Sequence, residues 1–227
     1  MGRKTVRAVE LILDWNLWPR HEANGVDVTN VNRMVTALQA GVDLPPVIVN
    51  SADMRVIDGF HRLKAHLKAF GSDAKMTVDM RVYETEADMF QDSVRYNAQH
   101  GLPLTPKDRA HALIKARKFK IPYSAMASAL GMTEAKVKDF LAKRTAKTES
   151  GETVALSYGA SDLAGKVLTP AQEHFNDHST GSKPIMYASM LVNALDAEAL
   201  PLDQQACSKL RELYNMIGGI LDGACHE

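Results

Sequence analysis

Cysteine is nearly absent from this sequence: Cys207 and Cys225 are the only two in 227 residues, both near the C-terminus and without metal-ligand spacing. That excludes a disulfide framework and a cysteine-based zinc site, and it fits a reducing compartment. A long apolar run is also missing, so no membrane span is expected. Glu10 and Asp14 interrupt the apolar stretch that a secretory leader would need, and a cytoplasmic protein is expected. Net charge is missing too: 27 basic and 27 acidic side chains cancel, so the global charge names no partner. With 45% hydrophobic residues the chain can bury a core, which argues against disorder throughout.

What the totals hide is an uneven distribution. Residues 1–102 carry 12 basic and 13 acidic groups, residues 103–147 carry 11 and 3, and residues 148–227 carry 4 and 11. A basic block between a neutral and an acidic segment suits an anionic partner; it suits equally well a solvated lysine-rich surface.

The first hundred residues alternate strand and helix signals. PPVIVN (45–50) and MRVID (54–58) read as a hairpin-like pair, and MTVDMRVY (76–83) alternates like a strand with one buried face. Helices are expected over 30–41, capped by Thr29 or Asn30, over 60–71, and over 86–98. From residue 103 the strand signals stop. Thr105-Pro106-Lys107-Asp108 combines a hydroxyl cap, a proline at the first helical position and an early carboxylate. Two short helices around Gly131 follow at 123–145, then a small-residue stretch expected to be a linker, in which Val154 to Leu156 could dock, and helices after Thr169-Pro170, at 184–196 and at 203–222. The expected division is 1–102, 103–147, a linker at 148–165, and a helical region at 166–227.

Ala127, Gly131 and Val137 have the spacing that a helix-turn-helix requires: a small residue where the helices touch, a glycine at the turn, and a buried aliphatic in the second helix. Thr133, Glu134, Lys136 and Lys138 then fall on or near the start of a recognition helix, and Ser124, Ser128, Lys143 and Arg144 within reach of phosphates. An ordinary helical hairpin has the same small residues. The recognition helix lacks the Asn, Gln or early Arg that best read purines, so contacts to the backbone are expected to outweigh contacts to bases.

The stretch VIDGFHRLKAHLKAFG (56–71) ends an apolar run at Asp58-Gly59 and starts a helix at once. Unpaired amides at a helix mouth favour an anion, a preceding glycine allows close approach, and Arg62 and His61 add donors, so Gly59, His61 and Arg62 are candidate phosphate ligands. Arg62 could equally pair with Asp58. Trp15 and Trp18 are expected to pack the N-terminal segment onto the sheet.

Gly59-Phe60-His61-Arg62, with the VID strand before it and PPVIV further upstream, resembles the phosphate box of the ParB/sulfiredoxin superfamily. Asn97-Ala98-Gln99-His100, leading through Leu102-Pro103 into Thr105-Pro106 and the helix pair, resembles its Asn-x-x-Arg segment and helix-turn-helix. The resemblance covers about residues 8–145 and its order of motifs is that of ParB-type partition proteins. It implies an α+β protein: a small mixed-sheet nucleotide-binding N-domain, an all-α helix-turn-helix region and C-terminal helices. It further implies CTP or another nucleoside triphosphate with Mg²⁺ as ligand, DNA as partner, and a homodimer. Asn97 corresponds to the metal-associated asparagine, and His100 replaces an arginine.

The departures are as informative. Phe60 stands where sulfiredoxins carry the catalytic cysteine, and no thiol precedes Cys207, so sulfinic-acid reduction is not expected. ParB nucleotide hydrolases have glutamates where this chain has Phe60 and Tyr96, so nucleoside triphosphatase activity is expected to be weak or absent. Two other readings remain: a Mg²⁺-dependent nuclease or phosphotransferase using Asp14, Glu22 or Asp58, and an adaptor working through its acidic C-terminal helices.

Overall fold

The computed structural model describes residues 2–21, 26–99, 102–179, 184–200 and 203–224. It begins with a strand that the sequence pattern does not announce, β1 (Gly2–Arg7), in which only Val6 is buried. Charged residues suit an unpaired edge, and they also mask the alternation by which a strand is recognised. Helix α1 (Val28–Gln39) follows. Its cap is Asp27, whose carboxylate accepts from the Asn30 amide at 3.0 Å. The helix therefore starts before the expected Thr29 or Asn30, because a carboxylate serves the positive helix end better than a residue already inside the first turn.

Next come β2 (Val47–Asn50), β3 (Val56–Asp58), α2 (Phe60–Phe70) and β4 (Lys75–Arg81). The sheet order is β1-β4-β2-β3: β1 is antiparallel to β4, β2 parallel to β4, and β3 antiparallel to β2. The expected 45–58 pair forms, with an irregularity between Ile48 and Val49. β2 is buried along its whole length, since both of its sides are paired and both faces are covered. Trp18, Val49, Phe60, Leu63 and Val78 form the core between sheet and α2. Trp18 packs there as expected, its ring 4.5 Å from that of Phe60, and Trp15, though 43% exposed, sets its ring edge-on to both at 5.9 Å.

Helix α3 (Glu86–Gln99) lies against β3 on one side and the next helices on the other, burying Phe90 and Val94. Helix α4 (Pro106–Lys118) starts with the full reciprocal cap: the Thr105 hydroxyl accepts from the Asp108 amide and the Asp108 carboxylate from the Thr105 amide. α5 (Tyr123–Leu130) and α6 (Glu134–Arg144) complete a second core around Met126, Leu130 and Val137. The α+β class expected from the sequence is the one observed.

Residues 148–165, expected as a linker, are folded. β5 (Thr145–Lys147) and β6 (Thr153–Ala155) pair antiparallel, and Ala146, Leu156, Ala160 and Leu168 close a small core of their own. Small and polar residues made this stretch look like a spacer, but its few aliphatics are enough to bury a hairpin. Helix α7 (Pro170–His178) is fixed to this part through Asn176, whose side chain accepts from the Ser157 amide (2.8 Å) and donates to the Ala155 carbonyl (2.9 Å). The first compact unit therefore runs to Gly181, and Ser182–Glu227 form a second. The second holds α8 (Pro184–Asp196) and α9 (Gln204–Ala224). Among the described residues no helix is long and apolar enough to cross a membrane.

Candidate functional site

Strand β3 hands directly to α2 through Gly59, which caps the helix in a left-handed conformation (φ 108°). A β-carbon there would lie 2.8 Å from Val47 Cγ2 and 3.0 Å from Arg62 Nε. Glycine is needed on both counts, for its positive φ and for the contact. Gly59 offers no side chain to cap the helix, so the first-turn amides keep their demand for an acceptor. A cavity of about 480 Å³ opens at this mouth, lined among others by Trp18, Arg20, Asp58, Gly59, His61 and Asn97.

The expected donors are not unengaged. Arg62 donates to the carbonyls of Pro45 (3.0 Å) and Pro46 (2.6 Å), and its other terminal nitrogen is paired with Asp58. The alternative left open by the sequence, an Arg62–Asp58 pair one helical turn apart, is the one the fold adopts. His61 uses Nε2 as an acceptor, from the Asp27 amide at 3.1 Å. Burial first, and then the neighbouring Arg20 cation, hold its pKa below the ordinary histidine value. A ring that accepts at Nε2 carries its proton on Nδ1.

Asn97 is buried and held on three sides. Its amide nitrogen donates to Ser93 O (2.9 Å) and approaches Asp58 (3.5 Å), and its oxygen faces Arg20 at 3.4 Å. That oxygen is the atom a metal would need, and a guanidinium beside it opposes a divalent cation. Among the described residues no group of three or more His, Cys, Asp or Glu could hold a metal ion. The residues present therefore do not fit a Mg²⁺ ion held by the protein at Asn97. His100 lies outside the described residues, as does Glu22.

The carboxylates considered for an enzyme are likewise committed. Asp14 caps its own turn through the Asn16 amide (2.9 Å) and pairs with Arg55 (3.0 Å). Asp58 is held by Arg62. Neither is placed as a general base.

The second candidate region is the α5–α6 pair. Gly131 turns the chain in the left-handed region (φ 65°), and Ala127 and Val137 are buried where the helices meet. Ser124, Ser128, Thr133, Lys136, Lys138 and Lys143 are exposed. Thr133 caps α6 through the Lys136 amide. Lys138 pairs with Glu134 at 2.9 Å and Lys143 with Asp139 at 2.8 Å. Such exposed pairs one turn apart exchange readily for other anions.

Arg144 departs from its expected place. Its guanidinium sits 5.2 Å from the ring centre of Tyr158, with one terminal nitrogen buried and without a partner among the described residues. Because the chain enters β5 at the next residue, this arginine is turned toward its own protein rather than toward a phosphate backbone. The basic block is also partly structural. Lys107 is buried against the Asn176 carbonyl (2.9 Å), and Lys115 against that of Trp15 (2.7 Å).

No family model matches the chain. Two curated proteins are similar over part of it. The Streptomyces niveus "Transcriptional regulator NovG" is 43% identical over 70 residues, 31% of this chain and 21% of that protein. The Streptomyces griseus "Streptomycin biosynthesis operon possible regulatory protein" is 37% identical over 89 residues, 39% of this chain and 23% of that protein. The chain spans less than a quarter of the length of either. Solved structures similar to it include the Caulobacter crescentus partitioning protein ParB complexed to parS (TM-score 0.42, 14% identity, 61% of this chain and 70% of that one). The same protein complexed with CTP-γ-S has a TM-score of 0.36 with 16% identity, over 62% of this chain and 77% of that one. A pNOB8-like ParB N-domain has a TM-score of 0.41 with 14% identity, over 68% of this chain and 53% of that one. The neighbours are thus ParB proteins, the family that the sequence motifs resemble; no residue role is carried over from likenesses this distant.

Arg20 was not singled out from the sequence. It is 6% exposed and bridges Asn97, the Leu102 and Pro103 carbonyls and Asp108. Nothing in its spacing marks it: the run that contains it, LDWNLWPR, also carries Asp14 and Asn16, so a charge there does not stand out.

Proposed function

We propose that this chain is a ParB-like DNA-binding protein acting in the cytoplasm as a homodimer, with the α5–α6 pair as its DNA-binding surface. The N-terminal cavity takes a nucleotide, CTP or another nucleoside triphosphate, whose binding switches DNA engagement or self-association. The functional division proposed with it is a nucleotide-binding part over 1–102, a DNA-binding part over 103–147 and a helical C-terminal region. The observation that carries the reading is α6, a glycine-turned second helix with Lys136, Lys138 and Lys143 all exposed. The regulatory names of the two curated relatives agree with it.

Turnover of the nucleotide is slow or absent in this reading. Phe60 and Tyr96 occupy the positions where a ParB hydrolase is expected to carry carboxylates, and Asp14 and Asp58 are paired with arginines. Any Mg²⁺ is brought by the nucleotide's own phosphates. Asp58 also sets a carboxylate beside the mouth, where it opposes an incoming anion and is offset in part by its pairing with Arg62.

The test is the triple variant Lys136→Ala, Lys138→Ala, Lys143→Ala. Its DNA affinity should fall, and the slope of log K against log salt should flatten by about 0.9 for each phosphate contact removed. Unchanged affinity and slope would remove α6 from the interface.

A further inference from the structure

Arg20 and Trp18 reach the wall of the Gly59 cavity from the segment before α1. A guanidinium has five N–H donors. Those of Arg20 on its terminal nitrogens are directed to Pro103 O (3.2 Å), Asp108 (3.5 Å), Asn97 (3.4 Å) and Leu102 O. The remaining one, Nε–H, is buried and meets no acceptor among the described residues. Two residues earlier, Trp18 is 2% exposed, and its indole N–H is buried and unmet in the same way.

Both orphaned groups can only donate, and no residue lining the cavity leaves a buried side-chain acceptor without a partner among the described residues. The α2 mouth adds first-turn amides with no side-chain cap at Gly59. A buried donor left unpaired is costly, and two such donors on residues lining one cavity, beside a helix mouth without a side-chain cap, point to a single kind of complement.

We propose that Arg20 Nε–H and Trp18 Nε1–H are ligand-binding donors, and that the group they take is the oxygen-rich anion of a phosphoryl group seated at the mouth of α2. The proposal rests on the reading of this cavity as the ligand site of the N-terminal unit. It assigns the anion to two side chains outside the Gly-Phe-His-Arg box. Arg62, committed to Asp58 and two carbonyls, becomes a support of the mouth rather than its first donor.

The experiment uses the full ¹⁵N-labelled chain, which has two indole N–H signals, from Trp15 and Trp18. It is titrated separately with pyrophosphate, CTP and acetate, and the signals are assigned by the loss of one in Trp15→Phe, a substitution at an exposed residue. On adding pyrophosphate, the Trp18 indole and one arginine Nε–H signal should shift saturably with a common Kd, while the signal of exposed Trp15 stays. Trp18→Phe keeps a ring against Phe60 and should bind about tenfold more weakly, the effect of one hydrogen bond to a charged group.

If CTP binds by calorimetry but neither signal moves and Trp18→Phe binds as tightly, the donors serve an internal water; the proposal falls while the nucleotide reading stands. Should pyrophosphate move both signals and CTP neither, the donor assignment stands and the nucleotide reading falls. Response to acetate alone overturns the phosphoryl class, and no response to any of the three overturns both. Were Trp18→Phe to misfold, the titration of the unsubstituted chain still decides.

Discussion

The mouth of α2 and the exposed face of α6 were both singled out by their cations, yet the fold treats those cations in opposite ways. At the mouth, Arg62 is paired with Asp58 and two proline carbonyls, and Asn97 with Ser93 and Arg20. On α6, the exposed Lys138 and Lys143 pair with carboxylates of their own helix. A motif specifies residue types in order; burial decides which of their donors are still available. In low dielectric, an unpaired guanidinium charge is too costly to wait for a ligand, so the mouth pairs the charge of its arginines from within and leaves the single Nε–H of Arg20 unmet. On the surface water does that work, and lysines remain exchangeable.

The largest expected effect tests whether the mouth is built around its glycine. Gly59→Ala meets Val47 at 2.8 Å and the Arg62 guanidinium at 3.0 Å, with φ at 108°, and should lower unfolding stability by about 3 kcal/mol in a denaturant titration. A loss below about 1 kcal/mol would mean that the turn relaxes freely and that the contrast with α6 is overdrawn. A smaller effect is expected from Asp58→Asn, which keeps a hydrogen-bonding side chain but removes the charge holding Arg62. Stability should fall slightly, while affinity for pyrophosphate, read by calorimetry, should rise about tenfold as one competing charge leaves the mouth. Unaltered or weaker binding would show that the Arg62–Asp58 pair does not stand between ligand and site.

Much of this architecture was legible locally. The helix start at Thr105–Asp108, the turn at Gly131 and the strand expected over 76–83 each follow from a few adjacent residues, and each forms, the strand ending at Arg81 with Val82 exposed. What escaped depends on partners distant in sequence. β1 exists because β4 supplies its ladder, and a charged edge shows no period of its own. The 148–165 stretch is folded because Leu156 and Leu168 meet Ala146 and Ala160, which no composition window reveals. Arg20 joins the cavity to α4 through Asp108, 88 positions away, and Lys107 is spent on Asn176, 69 positions away. The motif gives the box residues by type, but their hydrogen-bond partners belong to the tertiary structure and cannot be read from it.

The smallest expected effect probes the other side of the contrast, the availability of Lys138. Glu134 stands in the first turn of α6, where a carboxylate favours the helix, and it holds Lys138 one turn on. If α6 meets the DNA backbone, Glu134→Gln removes a charge that repels phosphate and releases Lys138. Affinity at low salt should then rise about twofold, and the gain should fade as salt screens exposed charges. The opposite sign has an equally definite cause. A carboxylate in a groove can accept from the amino group of cytosine, so a fall in affinity confined to particular sequences would make Glu134 a base reader and α6 more specific than its lysines suggest. Binding unchanged at every salt concentration would place this end of α6 away from DNA, and leave Lys143 and the α5 serines as the contacts to examine.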